Sequence, residues 1–259
     1  MQLISPCLFI VIVEYIQYTS NHGFYGLHGE IVQMVIDPNE DFVFPDPETS
    51  DKQGLLLIGG DLNPKRILQA YSQGVFPWYG PGSPILWWSP NPRLILRPTA
   101  FKVSHSLQKS LKKPFKITID TVFHQVICAC ATHSGRADNT WIVNDMIDAY
   151  TQMHMLGFAH SFEVWLDGEL AGGLYGISLG HAFFGESMFH KVTDASKVAL
   201  YYLCQTMKEW GFDFIDCQLP TPHLLSLGAE IISRGEFMRL LKDTLEYPTR
   251  QGVWQASFS

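Results

Sequence analysis

Two polar residues that could carry out chemistry, Asp216 and Gln218, stand two positions apart near the end of a predicted strand. Residues two apart on a strand point to the same face of a sheet, so we expect this carboxylate and carboxamide to share one cleft. Glu186 lies on an earlier apolar run that is predicted to form a neighbouring strand. Positioned carboxylates accept protons or bind cationic groups. The spacing by itself predicts a shared location and assigns no roles.

The stretch 170–218 supplies the elements that would position these side chains. Two apolar runs punctuated by glycine meet at Gly180-His181, which predicts a β-hairpin, and an earlier hairpin is predicted over Asp167-Gly168. A helical pattern then runs over 194–210, and Phe214 opens the strand that delivers the carboxylate and carboxamide. Helices followed by antiparallel strands, a helix and a further strand predict an α+β fold.

Six short motifs occur in order between about residues 54 and 241, with compatible spacing. They are Gly59–Leu62, Gly74–Trp78, Trp87–Pro90, Gly185–Phe189, Ala195–Lys197 and Ile215–Gln218. Together they resemble the leucyl/phenylalanyl-tRNA–protein transferase family. The resemblance implies a small N-terminal domain followed by a catalytic domain like the GCN5-related N-acetyltransferases. It also implies a cytoplasmic bacterial aminoacyltransferase, and we predict neither a cofactor nor a metal.

The same resemblance implies partners and roles. Leu-tRNA and Phe-tRNA would donate the amino acid, with Met-tRNA as an additional candidate. Proteins that begin with Arg or Lys would accept it, which would mark them for degradation through an N-degron pathway. Asp216 would orient the amine and accept from it, Gln218 would polarise Asp216 or the carbonyl, and Glu186 would favour a cationic acceptor. Whether Asp216 is a base or a positioning group stays open, with a tRNA 2′-hydroxyl as an alternative proton carrier.

A slot for an apolar amino acid is predicted between the strands and the helix over 194–210. Its candidate residues are Leu174, Met188, Leu203, Met207 and Ile215. Two flexible methionines suit a slot that admits both aliphatic and aromatic side chains, and the alternative is that all five are simply core. Trp141 matches a tryptophan in the family's terminal-adenosine pocket, where stacking and core packing are both open.

One basic concentration stands out against the formal net charge of −7. Within it, Lys109, Lys112 and Lys113 are the candidates for gripping tRNA phosphates, and a solvated helix face is the alternative. The acidic balance elsewhere does not indicate a general nucleic-acid binder.

The 259 residues are predicted to divide into three parts. Residues 1–33 are predicted to be an extension outside the fold. One hypothesis is that translation starts at or near Met34, and the alternative is that these residues form a poorly ordered tail. Residues 34–96 would form the small N-terminal domain, in which Asp61 would cap a helix starting at Pro64. Residues 97–259 would form the catalytic domain, and we expect a monomer.

Several function classes are disfavoured by the sequence. The apolar run near the start is far shorter than the roughly 20 residues that span a bilayer, and five cysteines in mostly apolar settings indicate free thiols. Nucleotide-binding and serine-hydrolase motifs are absent. An acetyl-CoA-dependent N-acetyltransferase is the alternative enzyme, although 191–197 lacks the glycine expected of a pyrophosphate loop. A non-catalytic module that binds basic N-termini is a third interpretation.

Overall fold

The computed structural model describes residues 43–132 and 140–255, so the predicted extension and the hypothetical start at Met34 lie outside it. The first part of the described chain is a small antiparallel sheet of order β1-β3-β2 with one helix, α1. These elements are β1 (Leu55–Ile58), α1 (Pro64–Ser72), β2 (Phe76–Pro77) and β3 (Leu86–Trp88).

The cap of α1 differs from the one predicted. Asn63, not Asp61, occupies the N-cap and accepts a hydrogen bond from the backbone of Arg66. Asp61 instead pairs with the Arg66 guanidinium and accepts from Asn63. The reason is that a cap must immediately precede the first helical residue, and Pro64 fixes that position one residue after Asn63.

The rest of the described chain builds a seven-stranded sheet of order β10-β4-β9-β8-β7-β6-β5. Its strands are β4 (Arg93–Leu96), β5 (Lys116–Ile119), β6 (Ala159–Leu166), β7 (Glu169–Leu179), β8 (Ala182–His190), β9 (Phe214–Gln218) and β10 (Glu230–Ile232). Its helices are α2 (His105–Ser110), α3 (Phe123–Thr132), α4 (Asn144–Met155), α5 (Ala195–Glu209), α6 (Pro222–Ser226) and α7 (Arg234–Thr244). Short 3-10 turns cover Pro47–Thr49 and Pro98–Ala100. The predicted α+β class and small N-terminal unit are confirmed.

The position of β4 conflicts with a domain boundary placed between residues 96 and 97. A boundary after residue 96 assigns this strand to the N-terminal domain, yet β4 pairs with β9 on one side and β10 on the other. By hydrogen bonding it therefore belongs to the larger sheet. Its pairing partners come more than a hundred residues later, so no local pattern could have placed it.

Apolar residues on both faces of the larger sheet form two separate cores. Neighbouring residues alternate between them: Phe184 and Phe214 pack with α3 and α4, whereas Phe183 and Ile215 pack under α5. This alternation follows from the two-residue period of strands. The small N-terminal unit adds Tyr71 and other buried aromatics to the first core.

The predicted hairpins are both present, since β6 pairs with β7 and β7 with β8 in antiparallel fashion. β8 and β9 are instead parallel, joined by the crossover helix α5. Among the described residues they pair only from Ala182–Phe214 to Phe184–Asp216. Beyond that point β8 continues to His190 and β9 to Gln218 with no further ladder pair described between them, so the two strands part. No helix in the described ranges is both long and apolar enough to span a bilayer.

Candidate active site

Glu186 is placed by a bulge in β8. Tyr175 pairs with Ser187 and Gly176 pairs with Gly185, so Glu186 is the extra residue between two ladder pairs. A bulge of this kind turns a side chain away from the regular alternation. The turn directs the carboxylate toward α1 and α4, just beyond the point where β8 and β9 part.

Three donors from three elements hold the Glu186 carboxylate, which is 9% exposed. The Tyr71 hydroxyl on α1 donates to Oε1 over 2.6 Å, and the Gln218 carboxamide on β9 donates to the same oxygen over 2.8 Å. The Tyr150 hydroxyl on α4 donates to Oε2 over 3.2 Å. The carboxylate thus links α1 of the small N-terminal unit to α4 and β9 of the larger domain.

The electrostatics of this cluster follow from its burial. Burial raises the pKa of Glu186 to about 7; the hydrogen bonds from both tyrosines and Gln218 oppose the rise, and the charge of Asp216 adds to it. Burial and the neighbouring carboxylate raise the pKa of Tyr71 and Tyr150 well above their usual range. Both hydroxyls therefore stay protonated and able to donate. The carboxylate changes charge close to neutral pH.

This titration predicts a pH-dependent stability. Because the folded pKa of Glu186 lies near 7 and the ordinary value is 4.5, its stabilising contribution is full below about pH 4.5 and is lost as the pH rises through 7. The Glu186→Gln variant lacks this loss. We expect the free energy of unfolding of the variant, relative to that of the native protein, to be about 3 kcal/mol higher at pH 8 than at pH 4.5, at about 1.4 kcal/mol per pKa unit. Urea unfolding of both proteins at the two pH values measures it; an equal difference at both contradicts it.

Gln218 adopts a backbone conformation that is uncommon for a residue with a side chain. Its φ is 62°, in the left-handed region that favours glycine. Its backbone N–H donates to Oδ1 of Asp216 over 2.9 Å, which holds the conformation in place. The same turn directs the carboxamide at Glu186.

Asp216 is fully buried and has protein donors on both of its oxygens. The Arg93 guanidinium on β4 donates from Nε to Oδ1 over 2.9 Å and from Nη2 to Oδ2 over 2.6 Å. Arg93 is itself 1% exposed, and its Cζ lies over the rings of Phe76 and Phe237, 4.8 and 4.4 Å from their centroids. In this arrangement Asp216 acts on its surroundings through Gln218.

The predicted apolar set is brought together on the other face of the sheet. Leu174, Leu203, Met207 and Ile215 are buried in the core under α5, and Met188 packs against that core half-buried. The two parallel strands carry members of both sets: Glu186 and Met188 on β8, and Ile215 and Gln218 on β9. Ile215 lies in the paired part of these strands, opposite Phe183. The polar cluster and the apolar set therefore lie on opposite faces of the sheet and share the same two strands.

Trp141 and the lysines lie apart from this apolar set. Trp141 is half-buried before α4 and packs against the core on the Glu186 side of the sheet. Lys109, Lys112 and Lys113 are all exposed on α2 and the turn after it. The structure therefore separates the predicted slot, the tryptophan and the basic surface.

The basic surface adjoins the start of α5. The Ser110 hydroxyl on α2 donates to Asp194 over 2.9 Å, and Lys197 pairs with the same carboxylate over 2.8 Å. Burial favours a raised pKa for Asp194, but hydrogen bonds from Lys197 and Ser110, with the charges of Lys197 and Lys113, lower it. Asp194 occupies the N-cap position of α5, but its side chain accepts from Ser110 on α2 and from no backbone N–H of the helix.

Three residues of the cluster escaped the sequence analysis. Tyr71 and Tyr150 fall on helices at positions that look like ordinary core, so they carried no signal. Arg93 did carry one: a charged residue opens a strand whose other members are Leu94, Ile95 and Leu96, all fully buried. Because arginine is almost never fully buried unless paired, that position pointed to a buried acidic partner.

Comparisons with known proteins match most of the described chain. A model described as "Leucyl/phenylalanyl-tRNA protein transferase" matches residues 95–242, and a model of the N-terminal domain of the same family matches residues 60–91. The leucyl/phenylalanyl-tRNA--protein transferase of Legionella pneumophila (strain Corby) is 68% identical over 221 residues, covering 85% of this chain and 99% of that protein. That of Desulfatibacillum aliphaticivorans is 55% identical over 218 residues, covering 83% and 94%.

Solved structures similar to this chain include two proteins from other families. A GCN5-related N-acetyltransferase-like protein from Streptococcus suis is 15% identical with a TM-score of 0.35, covering 65% of this chain and 64% of that one. An aminoglycoside acetyltransferase from an uncultured soil sample is 13% identical with a TM-score of 0.36, covering 57% and 98%. Both family models and the long high-identity alignments agree, and this chain belongs to the leucyl/phenylalanyl-tRNA–protein transferase family.

Proposed function

We propose that this protein transfers Leu or Phe from aminoacyl-tRNA to the N-terminal Arg or Lys of acceptor proteins in the cytoplasm, which marks them for N-degron degradation. The observation that carries the proposal is the hydrogen bond between Glu186 and Gln218 at the parting of β8 and β9, two strands that also carry Met188 and Ile215 of the apolar set. A cationic acceptor and an apolar donor side chain have complementary surfaces there. Nothing in the proposed reaction requires a second copy of the chain, so we propose a monomer.

Glu186 provides the charge that selects the acceptor. Its carboxylate is buried and has lost most of its contact with water. An Arg or Lys side chain that approaches it compensates for this loss with a charge-assisted hydrogen bond. The tyrosine hydroxyls hold the carboxylate in one orientation. An acceptor with an uncharged first residue gains nothing from this group.

The donor amino acid is selected by the apolar set under α5. The half-buried Met188 is the member nearest to solvent, and the four others form the floor. A difference of one methylene in such a slot contributes only about 1–3 kcal/mol. We therefore propose that Leu and Phe are both accepted and that Met-tRNA is a weaker donor.

The transfer itself needs little covalent assistance, because the ester to tRNA is already activated. The acceptor nitrogen attacks the ester carbonyl carbon, the carbon–oxygen bond to the ribose breaks, and the proton lost by the amine ends on the ribose oxygen. Holding both groups together supplies about 7–11 kcal/mol. We propose that the Gln218 carboxamide stabilises the oxyanion and that Asp216 fixes the backbone of Gln218.

The lysines of α2 and its following turn would hold the tRNA. Exposed ammonium groups neutralise phosphates without reading sequence, and these three flank the start of α5. Trp141, on the Glu186 side of the sheet, would stack on the terminal adenosine.

A salt titration tests the lysine surface. The triple change of Lys109, Lys112 and Lys113 to Ala is expected to lower the slope of log affinity against log salt by about 2, since each phosphate contact contributes about 0.7–0.9. Exposed Lys52, Lys208 and Lys242 changed to Ala give the same net charge and serve as the control. Equal slopes for the two triple variants contradict the assignment.

The transfer of labelled leucine from Leu-tRNA to a protein that starts with Arg tests the whole proposal. A Met-start acceptor, and a reaction in which acetyl-CoA replaces the tRNA, run in parallel. Transfer confined to the Arg-start acceptor is the expected result. Acetylation without aminoacyl transfer would support an N-acetyltransferase, and binding without either reaction would support a recognition module.

A further inference from the structure

The pair Arg93–Asp216 stands out among the buried charges of the described chain. Both partners are at most 1% exposed, and the two side chains meet through two parallel hydrogen bonds. The attraction within such a pair is offset by the loss of hydration of both charges, so a buried pair is weak evidence for a stabilising role. Its position next to Gln218 suggests another use.

The surroundings of Arg93 fix its orientation as well as its location. Phe76 comes from the small N-terminal sheet and Phe237 from α7, and the guanidinium packs over both rings. The guanidinium is a rigid planar fork, so packing against two rings leaves its N–H groups little freedom of direction. The Asp216 carboxylate is consequently held against translation and against rotation.

The effect passes from the carboxylate to the backbone of β9. Oδ1 accepts from both Arg93 Nε and the Gln218 backbone N–H. The pairing of β4 with β9 slips at this point, since Leu94 faces Gln218 and Ile95 faces Asp216. The left-handed conformation of Gln218 is therefore held by the carboxylate at an interruption of the ladder.

We propose that Arg93 is a positioning residue for the transfer reaction: through Asp216 it holds the backbone of Gln218 so that the carboxamide meets Glu186 and the reacting carbonyl. Asp216 then serves as a fixed acceptor and takes no proton from the amine. This inference rests on the proposed function. Arg93 on β4, Asp216 and Gln218 thus form a chain of contacts that positions the carboxamide for the reaction.

The Arg93→Lys variant tests the need for a fork. It keeps the charge and the apolar stem but offers no planar pair of donors. We expect kcat to fall about 10²-fold, the size of effect that follows a shift of about 1 Å in a reacting group, with KM for Leu-tRNA unchanged. Arg66→Lys, which alters another buried arginine paired with an aspartate, is the control and should retain kcat within about threefold. A normal kcat for Arg93→Lys overturns the proposal.

The paired change Arg93→Gln with Asp216→Asn separates positioning from proton transfer. It removes both charges yet leaves an amide N–H that donates and an amide oxygen that accepts, so the Gln218 N–H keeps its partner. We expect the pair to recover at least tenfold in kcat over either single change, with the pH profile of the native enzyme. A folded double variant as inactive as the singles overturns the proposal. Circular dichroism reports folding, and if the double variant is unfolded, the kcat of Arg93→Lys decides.

The native enzyme is assayed in every series with Leu-tRNA and the Arg-start acceptor. Its failure to transfer would overturn the proposed function. If the native enzyme is active, the Arg93 inference fails when Arg93→Lys keeps a normal kcat or when the folded double variant is as inactive as the single variants.

Discussion

Replacing Gln218 with Ala is expected to lower kcat for leucine transfer by about 10²–10³, the loss that follows removal of one oxyanion donor. The carboxamide is the neutral donor beside Glu186, and its orientation depends on a backbone φ of 62°. KM for the Arg-start acceptor should change little, because Glu186 stays in place and keeps both tyrosine donors. Single-turnover transfer from Leu-tRNA measures the chemical step directly.

Gln218→Glu provides the matched control. It preserves the length of the side chain but replaces the donor with a second carboxylate facing Glu186, so it should be at least as inactive as Gln218→Ala. Transfer by Gln218→Glu at a native rate would show that no donor is needed at this position and would remove Gln218 from the mechanism.

Arg93→Met is expected to destabilise the protein by about 3–5 kcal/mol, since it leaves the fully buried Asp216 without its partner. For a protein of this size, about 2–4 °C of Tm accompany each kcal/mol, so Tm should fall by roughly 6–20 °C. Methionine keeps much of the side-chain volume that packs against Phe76 and Phe237, and the loss is therefore mainly electrostatic.

Arg97→Met on the same stretch of chain is the control. Arg97 pairs with Glu230 over 2.8 Å, but the two side chains are 41% and 48% exposed. An exposed pair contributes only about 0–1 kcal/mol, so Tm should move by no more than a few degrees. Similar losses for the two variants would mean that the burial of the Arg93 pair has no energetic consequence. Thermal unfolding followed by circular dichroism measures both.

The sequence determined the elements whose signals are local. The turns at Asp167-Gly168 and Gly180-His181 specified both hairpins because each lies between alternating apolar runs. The period of the run after Asp194 specified α5, and the two-residue spacing of Asp216 and Gln218 placed both at one strand end. The motif order specified the family.

Contacts between residues far apart in the chain were decided by the tertiary structure alone. Tyr71, Tyr150 and Gln218 meet at Glu186 from positions 115, 36 and 32 residues away. The bulge that aims Glu186 depends on the register of β8 against β7, which the sequence of β8 does not encode by itself. Burial then raises the pKa of Glu186 to about 7, a property of the packed surroundings.

Arg93 shows the same division within a single residue. Its sequence context carries a signal that the prediction missed: a charged residue directly precedes three apolar residues of a strand. Its partner lies 123 residues later. Only the pairing of β4 with β9 brings the guanidinium and the carboxylate together, because hydrogen bonds between strands link residues by position in the sheet and not by distance along the chain.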